Sequence, residues 1–205
     1  IGSDAWTAWI GSPAVFGEGD LGLFGGRVDV VGGLRIDPYL VAASRQTPVE
    51  GATPSIGLFD QSVYLEPRTA VRARVADPVE ARAAWGLYHQ PPVAEDLSAV
   101  FGNPTLGAAE AQHLLAGMHV DLPWSVDLDL VGFTTWSGDL PVRSASESPL
   151  LARALVNQGT GRSVGLQIVL RRKLADGLFG WLSYGLSRSE RTDRPGDPTR
   201  LSDFD

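Results

Sequence analysis

The chain has 205 residues, a net charge of −7, no cysteine and a mean hydropathy of −0.01. The charge argues against a nucleic-acid partner, because neutralising phosphates needs a basic surface. Without Cys there are no disulfides, thiol nucleophiles or Cys-held metals, and no run approaches the roughly 18 apolar residues of a membrane helix. A transmembrane barrel stays open, since its lipid-facing and lumen-facing residues alternate and cancel in any window.

Apolar/polar alternation predicts about eight strands, at 4–16, 26–40, 62–75, 79–89, 108–122, 125–137, 161–174 and 178–190. The first is the least regular. In the second, Val28, Val30, Leu34 and Ile36 oppose Arg27, Asp29, Arg35 and Asp37. The third sets Leu65, Val71, Ala73 and Val75 against Glu66, Arg68, Arg72 and Arg74, and the fourth sets Ala81, Ala83, Trp85 and Leu87 against Glu80, Arg82 and Tyr88. The fifth and sixth oppose Leu114, Met118 and Val120 to His113 and His119, and Val126, Leu128 and Leu130 to Asp127 and Asp129. The last two form the clearest hairpin. Val164, Leu166, Ile168 and Leu170 share one face, Leu182, Tyr184 and Leu186 do likewise after Asp176-Gly177, and that dipeptide is a strong hairpin signal. Both limbs reach the roughly 9–11 residues that cross a bilayer obliquely.

Connections alternate in length. Ala76-Asp-Pro78, Pro123-Trp124 and Ala175-Asp-Gly177 are tight, whereas 41–61, 90–107 and 138–160 are long. Outer-membrane barrels show this asymmetry, with short periplasmic turns and long outer loops. Good helix formers in Pro92–Ser98, Leu106–Leu115 and Ser148–Val156 predict at most a short helical turn in the outer loops.

Several segments also resemble a family. Asn157-Gln-Gly-Thr-Gly-Arg162, Gly165-Leu-Gln, Arg171-Arg172, Gly180-Trp-Leu-Ser-Tyr184 and Ser187-Arg-Ser189 look like a late barrel hairpin of TonB-dependent outer-membrane receptors. Upstream, Gly33-Leu-Arg-Ile-Asp37, Leu65-Glu-Pro-Arg68, Trp85-Gly-Leu-Tyr-His-Gln-Pro-Pro92 and Phe101-Gly-Asn-Pro-Thr-Leu106 resemble other segments of that barrel, in the same order. The resemblance covers most of 27–205.

It implies an all-β antiparallel meander within a transmembrane barrel of the bacterial outer membrane. About eight strands cannot close so large a barrel, so 1–205 is expected to be a fragment of one barrel domain, an open curved sheet if isolated. The start at Ile1 without a signal peptide, the missing plug and TonB box, and the end at Asp205 fit that expectation. The implied parent imports a scarce or bulky nutrient, such as a ferric siderophore, another metal chelate or cobalamin. Its implied partners are outer-membrane lipid, its own plug domain and the TonB–ExbB–ExbD machinery. The alternative from another class is a soluble β-sandwich that binds glycans through Trp and Tyr.

Ligand contacts in such a receptor are expected from the long loops, because scaffolded loops usually carry binding. His89, Gln90, Phe101, Asn103 and Arg143 combine imidazole, amide, aromatic and cationic chemistry there. Their simpler role is loop folding, with Asn103-Pro104 as a turn and Phe101 packed beneath it. Lumen-side Arg35, Arg68, Arg72, Arg74 and Arg82 lie near Asp29, Asp37, Glu66 and Glu80, so cross-strand pairing is favoured over guidance of an anionic substrate. Trp6, Trp9, Trp85, Trp124, Trp136, Trp181, Tyr39, Tyr88 and Tyr184 suit interfacial girdles.

No cofactor or metal is expected. His113 and His119 lie six residues apart on one strand, about 20 Å, and no His-Glu-x-x-His is present. Nor is an enzyme. There is no Gly-x-Ser-x-Gly, and Gly159-Thr-Gly161 precedes a strand rather than the helix end that grips phosphate.

Overall fold

The computed structural model describes residues 6–45, 58–98, 101–146, 153–175 and 177–202. Its strands are β1 (Trp6–Gly11), β2 (Val15–Leu23), β3 (Val28–Arg45), β4 (Leu58–Ala76), β5 (Val79–Gln90), β6 (Ala109–Leu122), β7 (Val126–Arg143), β8 (Leu155–Ala175), β9 (Leu178–Thr192) and β10 (Arg200–Leu201). All belong to one antiparallel sheet, and from β3 onward each strand pairs with its neighbour in sequence. The sandwich alternative fails on this point, because the described strands form no second sheet to enclose a core.

The first predicted strand, 4–16, needs correction. Two strands stand there, and β2 occupies 15–23, where Gly17, Gly19 and Gly22 hide any alternation. Gly11↔Leu40 and Val15↔Ile36 belong to one unbroken register on β3. In that register Pro13 falls opposite Pro38, and neither has an N–H to offer the ladder. Thus β1 and β2 are one edge strand interrupted by a proline pair.

Strands also run further into the long connections than the sequence suggests. Of 41–61, residues 41–45 and 58–61 are strand, and 46–57 lie outside the described residues. Of 138–160, residues 138–143 continue β7 and 155–160 begin β8. The predicted strand 125–137 stops at Ser137, yet a bulge stands there: the register shifts between Ser137 and Leu140, and Asp139 sits at φ 53°. The strand resumes past it. In the Ser148–Val156 segment, the described part from Leu155 is strand, not helix. The helical turn expected near Pro92 is a 3-10 helix, Ala94–Leu97.

The two faces have opposite chemistry. Cross-strand rows such as Leu166↔Leu186, Leu170↔Leu182, Ile168↔Leu130 and Val30↔Val71 put aliphatic side chains on one face. These residues remain open: Leu182 is 69% exposed and Leu65 52%. The opposite rows carry Arg72↔Arg82, His119↔Asp129, Asp127↔Arg171 and Ser163↔Ser189. The single described core cluster is small, formed by Tyr39, Val41, Leu97 and Leu106.

Candidate functional site

That cluster is built by the described parts of the β5–β6 connection, 91–98 and 101–108, which form a strap over the polar face at the end away from the tight turns. Leu97, from the 3-10 helix, and Leu106 pack on Tyr39 and Val41 of β3, with Tyr64 of β4 and Leu155 of β8 alongside. Hydrogen bonds fix both ends. The Tyr39 hydroxyl donates to the Pro92 carbonyl at 3.4 Å, and Ala154 N–H donates to Gly102 O at 3.1 Å. Asn157 acts as a clasp: its Oδ1 accepts Gly107 N–H at 2.9 Å, while its Nδ2 donates to Gly107 O at 3.2 Å and Asp139 O at 2.7 Å. The strap therefore joins β3 and β4 to β8 across the intervening strands.

Around this strap the five expected contact residues fall into three groups. Asn103 is committed to folding: its Nδ2 donates to Leu155 O at 3.0 Å, and its Oδ1 accepts Thr105 N–H at 2.9 Å. Arg143 is the last residue of β7, paired with Leu155, so it flanks the Asn103 contact from strand rather than loop. Phe101 is not packed beneath the turn. It stands 65% exposed, because Leu97 and Leu106 take the apolar seats below the strap.

His89 and Gln90 end β5. The His89 ring stacks on Tyr64 with centroids 5.0 Å apart, its Nε2 lies 3.8 Å from Glu110, and Gln90 is exposed. The β4–β5 ladder ends at Arg68↔Gly86, next to Pro67, which has no N–H. The buried Glu66 carboxylate takes over, accepting His89 N–H at 2.8 Å and pairing with Arg68 at 3.0 Å.

Sequence reading missed an aromatic group beside this point. Tyr88 lies across Gly86, where a Cβ would meet the Tyr88 ring at 2.9 Å. The His113 ring packs on it at 4.8 Å and the Arg68 guanidinium covers it at 4.9 Å. Gly33, Arg68, Gly86, Tyr88, His113 and Leu115 line a hollow of about 220 Å³. Tyr39 and Tyr88 thus leave the girdle set, since both serve the polar face. So does Trp181, which lies opposite Arg171 in the row of polar-face residues. Their parity with Asp37, Arg82 and Ser183 was the available signal.

Four of the five lumen-side arginines have an acidic partner nearby, which weakens the field for an anionic substrate. Arg35 pairs with Asp37 at 2.8 Å and Arg68 with Glu66, each two residues away on its own strand. Arg72–Glu80 at 3.2 Å and Arg82–Asp129 at 3.0 Å are the cross-strand pairs.

No protein-family model and no curated protein matches the chain. Solved structures do. The copper transporter OprC superposes with a TM-score of 0.68 at 18% identity, over 94% of this chain and 34% of its own. The ferric-catecholate import receptor Fiu of E. coli K12 gives 0.68 at 12%, over 92% and 29%. The alcaligin outer-membrane receptor FauA of Bordetella pertussis gives 0.66 at 12%, over 95% and 32%. The fold is that of a TonB-dependent receptor's barrel wall. At these identities the likeness concerns fold, and the chain spans about a third of each of those three proteins.

Proposed function

We propose that this chain is part of the barrel wall of an outer-membrane transporter, and that the parent protein imports a scarce or bulky nutrient. The observation that carries the reading is the sheet's exposed aliphatic face backed by a charged one. A soluble sheet hides its apolar side, whereas a barrel offers it to lipid. The strands exceed bilayer thickness, since β3, β4, β7 and β8 have 18, 19, 18 and 21 residues against the roughly 9–11 needed. Residues 1–205 then form part of one barrel domain. TonB–ExbB–ExbD supplies the energy, acting through a plug from elsewhere in the parent chain.

The structural neighbours support a substrate class, since they are named for iron, copper, ferric-catecholate and alcaligin. A metal ion or metal chelate fits that company best. Its contacts fall to the exposed positions around the strap, Phe101, Gln90 and Arg143, with His89 beside them; Asn103 shapes the strap instead. Membrane fractionation and uptake by the full-length protein test the reading. The protein is expected in the outer-membrane fraction, and removing the tips of the three long connections is expected to abolish uptake while heat-modifiable barrel assembly persists. Uptake surviving all three deletions would place recognition elsewhere, and a protein found free of the membrane would end the proposal.

A further inference from the structure

At the tight-turn end of the polar face, β6 and β7 bring together three side chains that the sequence keeps apart. His119, Asp127 and Asp129 each offer a ligand atom, and these atoms lie within 4.8 Å of one another. His119 Nδ1 is already 3.2 Å from Asp129 Oδ1, close to the separation of two donors on one small ion. Asp127 gives the second, independent sign. Its side chain is only 1% exposed, yet neither carboxylate oxygen accepts a hydrogen bond. A buried carboxylate in that condition is costly, and coordinating a cation is one way to offset the cost.

The surrounding cations do not fill the gap. Arg171 stands 3.7 Å from Asp127 and Lys173 3.4 Å, both beyond good hydrogen-bonding distance, and both are more than half exposed. Arg82 is occupied by Asp129 at 3.0 Å, and Asp121 is shared between Lys173 at 3.6 Å and His119 Nε2 at 3.7 Å. The Lys173 head, on a flexible stem with 61% exposure, can leave when a stronger cation arrives.

We propose that His119, Asp127 and Asp129 form a binding site for a divalent transition-metal ion of the zinc class. One imidazole and two carboxylates suit Zn²⁺, Co²⁺ or Ni²⁺ better than Ca²⁺ or Mg²⁺, which prefer all-oxygen shells. Small side-chain rotations, on the order of 1 Å, bring the three donors to the roughly 2.0–2.2 Å of such ions. The ion crosslinks β6 and β7 beside their shared turn and takes the place of Lys173 at Asp127. Of the two histidines considered from sequence only His119 takes part, because His113 belongs to the Tyr88 group.

The test is metal binding by the full-length protein in detergent micelles, with any affinity tag removed, and it needs no transport assay. Zn²⁺ is titrated calorimetrically, and Co²⁺ by its visible d–d bands. Binding of about one ion is expected, with Asp127→Asn and His119→Ala each weakening it at least about tenfold, roughly 1.4 kcal/mol. Lys173→Met is expected to tighten it several-fold by removing the competing charge, a change that a purely structural ion pair would not produce. Excess Mg²⁺ is expected to leave the Co²⁺ spectrum unchanged. Wild-type affinity in Asp127→Asn, no gain in Lys173→Met, or displacement by Mg²⁺ would each overturn the proposal. Should Asp127→Asn fail to assemble, Lys173→Met, which keeps all three ligands, decides alone.

Discussion

The apolar and polar faces of the sheet share every backbone hydrogen bond but are stabilised in different ways. On the apolar face the rows Leu170↔Leu182 and Leu166↔Leu186 need only to be greasy, and their exposure leaves lipid as the natural contact. On the polar face many residues have a particular partner: Glu66 for His89 and Arg68, Asp129 for Arg82 and His119, Asn157 for Gly107. One face therefore tolerates exchange within a class, while the other depends on identity. Local chemistry, rather than fold, makes the difference.

The sharpest break of that comparison is a paired arginine scan at mid-strand. Leu166→Arg places a charge in lipid and is expected to cost about 2–4 kcal/mol of folding stability in bilayers. Gln167→Arg, one residue on but facing the polar side, is expected to change little. Urea-dependent folding of the full-length protein into vesicles measures both, and equal costs would mean that the faces are assigned wrongly.

Next comes the strap. Leu97→Ala removes a buried side chain from the small cluster with Tyr39 and Leu106, and is expected to loosen the strap by on the order of 2–3 kcal/mol. Hydrogen exchange of strap amides reads this locally, with strand amides unmoved. Asn157→Ala is expected to give a smaller effect at the same amides, about 1–2 kcal/mol, because Gly107 loses two partners but keeps access to water. Exchange unaltered at Gly107 would show that the clasp contributes nothing.

The smallest expected effect is a pH response at the β9–β10 connection. A hydrogen bond from Arg191, with others from Arg200, holds the Asp193 carboxyl below its ordinary range, although the side chain stays partly open to solvent. A lowered carboxyl favours the folded form above its unfolded pKa, and that contribution fades as pH falls through the folded value. Amide exchange at Thr192 and Arg200 is thus expected to rise only in acid, and Asp193→Asn is expected to remove the dependence.

Much of the fold was legible because a period of two is written residue by residue. The limbs 161–174 and 178–190 fall inside β8 and β9, and 79–89 matches β5 within a residue. Legibility failed where a local signal was true but misplaced. Glycines erased the alternation of β2, and Ser137-Gly138-Asp139 marked a bulge inside β7 rather than the end of a strand. Phe101 looked like a buried anchor because nothing local says that Leu97 and Leu106 occupy the seats beneath the strap.

By itself, the sequence determined which residues share the apolar face and which the polar one, since side-chain direction on a strand follows from parity alone. It also determined where the tight turns fall, through their own Pro, Gly and Asp residues. Only tertiary structure decided what meets across strands. Register sets His119 against Asp129 and Asp121 against Asp127, and the path of the strap sets Leu97 on Tyr39 and Asn157 on Gly107. The strap contacts join residues fifty or more positions apart, and their geometry depends on the summed pairing and curvature of the strands between them, which no local pattern encodes.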